Sequence, residues 1–330
     1  LTMRSIVVLF FLIVLAACDP MAPQPTPVVV LVSPIPSITP TPRNTDTPTP
    51  TLTPMPTLTE VILPSPTPFP CDEDSGRIVE FNDNFSEIAR ENLRYRVYIP
   101  PCYLETEKRF PIAILIHGLS YREQQWEDIG VVTALDQGIR LGVLPPMILV
   151  MPYFGSIGQY NQFPPDASYE TVILDELLPS IQADFCTIEN REYRAIGGIS
   201  RGGFWAYSIA MRHPDVFGIV GGHSAYFPDN TREIPAQFNP LEIARNSELL
   251  PNANLRMYMD NGASDSAGPS QQVLSNRLQE RGIAHIYEIN LVGEHDNDYW
   301  SQHVDEYLQF YGTNWMRGYD DLPSCREPSP

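Results

Sequence analysis

Positive charge is scarce in this chain: 21 Lys and Arg stand against 40 Asp and Glu in 330 residues, a formal net charge of −19. A field of that sign repels polyanions, which excludes nucleic acid and anionic lipid headgroups as partners. Cysteine is also sparse. The five cysteines include no C-x-x-C pair, so a thiolate-held metal site is not expected, and nothing in the sequence calls for an organic cofactor. Long apolar runs are missing as well. The longest, Ile6 to Ala17, has 12 residues, short of the roughly 20 that a spanning helix needs.

That run follows Arg4 and ends in small residues, the pattern of a secretory signal. Leu15-Ala16-Ala17-Cys18 resembles the lipobox of bacterial lipoproteins, in which the cysteine is lipidated and becomes the new N-terminus. Residues 1–18 are therefore expected to be a signal peptide. A cell-surface lipoprotein anchored to the membrane through Cys18 is the localisation this implies. Between Asp19 and Pro70 stand 16 Pro and 11 Thr with no hydrophobic period. A disordered stalk is expected there, which as polyproline II would reach roughly 160 Å. Residues 71–330 remain for one globular domain. Setting Cys18 aside leaves Cys71, Cys102, Cys186 and Cys325, an even number in an oxidising compartment. Three pairings are possible, and the order of elements favours Cys71 with Cys102 and Cys186 with Cys325.

Within that domain, Arg77 to Phe85 and Leu93 to Ile99 are rich in β-branched and aromatic residues and predict an antiparallel hairpin. Ile112 to Ile116 and Met147 to Met151 are continuous apolar runs, as expected for parallel strands buried on both faces. Further strands are predicted at Tyr193 to Ile199, Phe217 to Gly222, Leu255 to Asp260 and Ile283 to Leu291. Helical spacing covers Val172 to Ile181, Gly203 to His213, Ser270 to Arg281 and Trp300 to Met316. The alternation predicts an α/β fold with a mostly parallel, doubly wound sheet, whose ligands sit at the carboxyl ends of the strands.

At one such end stands Gly198-Ile199-Ser200-Arg201-Gly202-Gly203, a G-x-S-x-G elbow between a strand and a helix. Glycines permit the sharp turn that leaves the serine hydroxyl exposed above the sheet. A serine becomes nucleophilic only beside a base, itself held by an acid. His295, in Gly293-Glu294-His295-Asp296 after the last strand, is the expected base. The expected acid is Asp265, with Asp260 as the alternative, because both follow the preceding strand in the order serine, acid, histidine. The amides of Arg201 and of Leu119, in Ile116-His117-Gly118-Leu119, are the expected oxyanion donors. His117, Gly118, Trp126, His223 and Trp300 are expected to line the substrate pocket, His117 also orienting the oxyanion loop. His223 is the rival base, but it would precede the acid in the chain.

Together with Tyr98-Ile99-Pro100-Pro101-Cys102-Tyr103, Gly262-Ala263-Ser264-Asp265 and Trp300, these motifs resemble the esterase D and feruloyl-esterase-like branch of the α/β-hydrolases. That branch also includes the antigen 85 mycolyltransferases and the enterochelin-esterase-like enzymes. The likeness runs from about Tyr95 to Trp315. It implies a serine esterase acting through an acyl-enzyme, and it supports Asp265 as acid and Leu119 as donor. Arg201 stands where many relatives carry Met, and Cys102 where Gly is frequent; the Arg201 side chain could meet an anionic substrate or simply make a structural ion pair. A small-molecule or polysaccharide-linked ester, aryl or carbohydrate, is the expected substrate class. An acyltransferase using the same residues and a non-catalytic binding module on a stalk stay open as alternatives.

Overall fold

The computed structural model describes residues 28–32, 73–229, 232–327 and 329. The signal segment, Cys18, most of the Pro/Thr-rich segment and Cys71 lie outside the described residues. Nine strands form one mixed sheet: β1 (Val28–Val32), β2 (Arg77–Phe85), β3 (Asn92–Ile99), β4 (Ile112–Ile116), β5 (Ile148–Pro152), β6 (Arg194–Ile199), β7 (Ile219–His223), β8 (Arg256–Gly262) and β9 (His285–Asn290). Their order across the sheet is β1-β9-β8-β7-β6-β4-β5-β3-β2. Strands β4 to β9 are mutually parallel, while β2 and β3 form the expected antiparallel hairpin at one side.

The central strands β4, β5 and β6 are buried along their whole length, which is why their sequences read as unbroken apolar runs rather than as alternation. Helices α1 (Val131–Arg140), α2 (Arg201–Arg212), α3 (Gly268–Glu280) and α4 (Asn297–Gly312) cover the faces. The helical stretch over Val172 to Ile181 is also present, but Val172–Leu177 is π-helical and an α-helix resumes at Leu178–Asp184. Pro179 explains the interruption, since it lacks an N–H and its ring crowds the carbonyl four residues back.

Strand β1 departs from the expectation of a partnerless stalk over residues 19–70. Val28–Val32 is a run of five β-formers, and it pairs antiparallel with β9 as an edge strand. Two disulfides bear on the cysteine expectation. Cys186 is joined to Cys325 across 139 residues, as expected, and Cys102 is disulfide-bonded to a partner outside the described residues.

Candidate active site

Ser200 sits between β6 and α2 with φ 53° and ψ −113°. That backbone is strained for a residue with a side chain, and its neighbours must give room. A Cβ at Gly198 would stand 2.3 Å from the Gly202 carbonyl carbon, and one at Gly202 would stand 2.3 Å from the Ile116 oxygen and 2.6 Å from that of His117. The two glycines thus let α2 start directly against the end of β4, which brings Ser200 beside the loop Gly118-Leu119. The Ser200 amide donates to the His223 carbonyl (2.9 Å), and the Tyr226 amide donates to the Ser200 carbonyl (3.2 Å). These bonds tie the turn to the end of β7.

His295 Nε2 lies 2.9 Å from Ser200 Oγ, and His295 Nδ1 lies 2.8 Å from Asp265 Oδ1. An ionised carboxylate only accepts, so Nδ1 carries the hydrogen and Nε2 is left to accept from the serine hydroxyl. Burial pushes the Asp265 carboxyl up, but hydrogen bonds from His295, Ser224 and the Ala267 amide outweigh it and hold the group below its ordinary value. The Ala267 bond is 2.7 Å. Ser224 Oγ accepts from Trp300 Nε1 (2.8 Å), which leaves its own hydroxyl hydrogen for Asp265. Trp300 in turn stands edge-on to the His295 ring at 5.2 Å. Three of the residues expected from sequence therefore meet in one hydrogen-bonded chain.

Asp260 is engaged elsewhere. Its Oδ1 accepts from His223 Nδ1 (2.8 Å) and its Oδ2 from the hydroxyls of Tyr299 (2.7 Å) and Tyr307 (2.9 Å), while His223 Nε2 accepts from the Tyr311 hydroxyl (2.7 Å). Every member of this network is buried. Sequence reasoning missed it, although the glycines within strands were a trace of it: a Cβ at Gly197 or Gly221 would fall 1.7 or 2.2 Å from the Tyr311 hydroxyl oxygen. Asp260 thus gives way to Asp265 as partner of His295, and His223 has no access to Ser200.

Four of the expected pocket residues, His117, Trp126, His223 and Trp300, are buried. Trp126 Nε1 donates to the Ile116 carbonyl (3.2 Å). His117 accepts from the Phe154 amide at Nε2 (3.2 Å) and donates from Nδ1 to the Gly118 carbonyl (2.7 Å), stacked beside the rings of Tyr153 and Phe154. Burial pushes its imidazole down to about 4, so it stays neutral and fixes the loop. Gly118 is held too, its amide donating to Gln125 Oε1 (2.7 Å). Of the aromatics on the strand-end loops, Phe154, Phe163, Phe227 and Tyr299 are core residues, while Tyr160 and Tyr226 are exposed.

Arg201 opens α2, so its amide is one of the first four N–H groups without an acceptor inside the helix. Leu119 is half-exposed at the facing loop. The Arg201 side chain makes no ion pair among the described residues. Its guanidinium donates to the carbonyls of Gly158 and Tyr160 (both 3.3 Å) and to Asn161 Oδ1 (2.7 Å), over the rings of Phe204 and Trp205. Burial lowers its pKa to about 10, which leaves it charged at neutral pH and clamping the loop after β5. The remaining histidines have structural partners: Glu170 for His213, Ser275 for His285 and Glu306 for His303.

A parallel sheet with an N-terminal hairpin, a strained serine between strand and helix, and a histidine on the loop after the last strand define the α/β-hydrolase fold. Residues 86–312 match the Esterase family, and the chain belongs to it. It is 32% identical over 163 residues to an endo-1,4-beta-xylanase/feruloyl esterase of Xylanibacter ruminicola, covering 45% of this chain and 22% of that protein. An esterase of Mycobacterium tuberculosis is also 32% identical, over 133 residues, covering 39% of this chain and 28% of the relative. The chain thus spans less than a third of the length of these two proteins. Among solved structures, a ferulic acid esterase superposes with TM-score 0.66 at 24% identity, covering 73% of this chain and 98% of the other. An S-formylglutathione hydrolase from Agrobacterium tumefaciens gives 0.62 at 15%, covering 74% and 98%. A ferulic acid esterase from Anaeromyces mucronatus, solved with ferulic acid, gives 0.60 at 19%, covering 73% and 92%.

Proposed function

We propose that this chain is a secreted serine carboxylic-ester hydrolase, held at the cell surface by a lipid on Cys18, with Ser200, His295 and Asp265 as its catalytic triad. The observation that carries this reading is the unbroken hydrogen-bond chain from Ser200 Oγ through His295 to Asp265. Ser200 Oγ attacks the ester carbonyl as its proton passes to His295 Nε2. Asp265 keeps the ring in the required tautomer and stabilises the imidazolium that forms. The developing oxyanion is met by the amides of Arg201 and Leu119, each such donor contributing about 3 kcal/mol. His295 then returns the proton to the leaving alcohol, which departs and leaves an acyl-Ser200 ester. Water, deprotonated by His295, releases the acid. No step requires a metal or organic cofactor.

The named activities of the feruloyl esterase relatives favour aryl esters, including those carried on carbohydrate. The test is turnover of p-nitrophenyl acetate, p-nitrophenyl butyrate and methyl ferulate by the full chain beside Ser200→Ala and His295→Ala. Turnover by the parent that both substitutions abolish, with folding intact, supports the reading. Turnover that survives Ser200→Ala contradicts it.

A further inference from the structure

Between the loop of the oxyanion donor and the loop of the base runs one buried side chain that the triad leaves without a role. Gln125 opens the short helix Gln125–Asp128 and is 1% exposed. Its Oε1 accepts from the Gly118 amide (2.7 Å), and its Nε2 donates to Asn297 Oδ1 (2.9 Å). A backbone N–H only donates, so Oε1 must face Gly118, and the orientation of both side-chain amides follows. Asn297 is the first residue of α4 and stands two positions after His295. The turn that carries Gln125 is itself fixed. The Gln125 amide donates to the Arg122 carbonyl (3.0 Å), and Trp126 Nε1 donates to that of Ile116 (3.2 Å) at the end of β4.

This brace sets the direction of one N–H. The Gly118–Leu119 peptide is trans, so its carbonyl and the Leu119 N–H point opposite ways in one plane. His117 Nδ1 (2.7 Å) and the Tyr121 amide (3.0 Å) hold that carbonyl, and Gln125 holds the N–H on the other side of Gly118. Gly118 is thereby fixed at both of its polar atoms, and its own amide is occupied. The Leu119 amide has no acceptor among the described residues, which leaves it for an incoming oxyanion. We propose that Gln125 is a positioning residue for ester hydrolysis: through Gly118 it aims the Leu119 donor, and through Asn297 it locks that donor's loop to the loop bearing His295. The inference rests on the esterase reading above. An oxyanion donor acts at roughly 2.7–3.1 Å from the charge that develops, and misplacement by about 1 Å can cost about 100-fold in rate. Acylation and deacylation both pass through an oxyanion, so loss of the brace slows both alike: kcat falls while KM holds.

The test measures p-nitrophenyl acetate hydrolysis by the full chain and by three variants whose folding is checked by circular dichroism. Gln125→Met keeps the length of the side chain and removes both hydrogen bonds; Asn297→Ala removes only the second; the third variant combines them. In Gln125→Met, kcat is expected to fall roughly 10- to 100-fold with KM within about twofold of the parent. Asn297→Ala is expected to lose less, about threefold to tenfold, and the double variant no more than Gln125→Met alone, because both changes act through one side chain. A folded Gln125→Met with the parent's kcat overturns the inference. So does a raised KM at unchanged kcat, which would make Gln125 a binding residue, and so do losses that multiply in the double variant. Should Gln125→Met not fold, Asn297→Ala at the half-buried end decides alone, and the parent's kcat there overturns the inference. Each of these failures leaves the esterase reading standing as long as Ser200→Ala abolishes turnover. An inert parent, or turnover that survives Ser200→Ala, overturns that reading and this inference with it.

Discussion

Two aspartates five residues apart, Asp260 and Asp265, have opposite surroundings, and their substitution separates catalysis from stability. Asp265→Asn keeps the volume but reverses the hydrogen bond to His295 Nδ1, so kcat is expected to fall by roughly three to four orders of magnitude with little change in urea midpoint. Asp260→Asn leaves a buried histidine and two tyrosine hydroxyls imperfectly paired and is expected to lower stability by about 3 kcal/mol. Turnover lost in Asp260→Asn with the midpoint unchanged would instead make Asp260 the acid. His117 gives a pH-dependent counterpart. Its imidazole is held at about 4 by burial, against about 6.5 in the unfolded chain, so below pH 6.5 the unfolded state takes up a proton that the folded state refuses. The stability it contributes is complete above pH 6.5 and falls as pH drops toward 4, by up to roughly 3 kcal/mol. Urea unfolding at pH 7 and 4.5 should show a smaller loss in His117→Gln than in the parent; equal losses would refute this. Ser200, Asp265 and His295 were legible because each chemistry needs its residue type after a particular strand. Burial of Trp126, His223 and Trp300 was not legible, because which face of a loop a side chain takes depends on packing between distant elements. The Tyr299 and Tyr307 hydroxyls that claim Asp260, and the Tyr311 hydroxyl on His223, come from α4, far along the chain.

Among elements, the elbow between β6 and α2 has the least tolerance. Gly202→Ala would set a methyl against the carbonyls of Ile116 and His117, and α2 must shift away from β4 to relieve it. A loss of about 1–3 kcal/mol in stability is expected, with at least a tenfold fall in kcat because Ser200 and the Arg201 amide move together. Unchanged kcat would show that the close approach is not needed. Strands β4 to β9 lie within a residue or two of their predicted spans; β4 and β5 were legible because an unbroken apolar run is what burial on both faces requires. The edge strand β1 escaped notice for the opposite reason: Val28–Val32 is too short to stand out against the prolines on either side, and its partner β9 lies more than 250 residues away.

At the scale of the whole molecule, the Cys186–Cys325 bond closes a 139-residue separation and holds the C-terminal segment against the body. Lys108 Nζ donates to the carbonyls of Asp320 (3.2 Å) and Leu322 (2.9 Å) in the same region. Replacing both cysteines with Ala is expected to lower stability by about 2–5 kcal/mol, read as a reduced urea midpoint with esterase activity retained at low temperature; an unchanged midpoint would contradict it. The sheet gathers loops from β4, β6, β8 and β9 at one edge, and the whole account turns on whether that gathering makes Ser200 a nucleophile. The most direct measurement is reaction of the folded chain with a fluorophosphonate followed by peptide mass mapping. The account predicts one adduct, on Ser200, and none in Ser200→Ala or His295→Ala; an unlabelled folded protein, or an adduct on another residue, would contradict it.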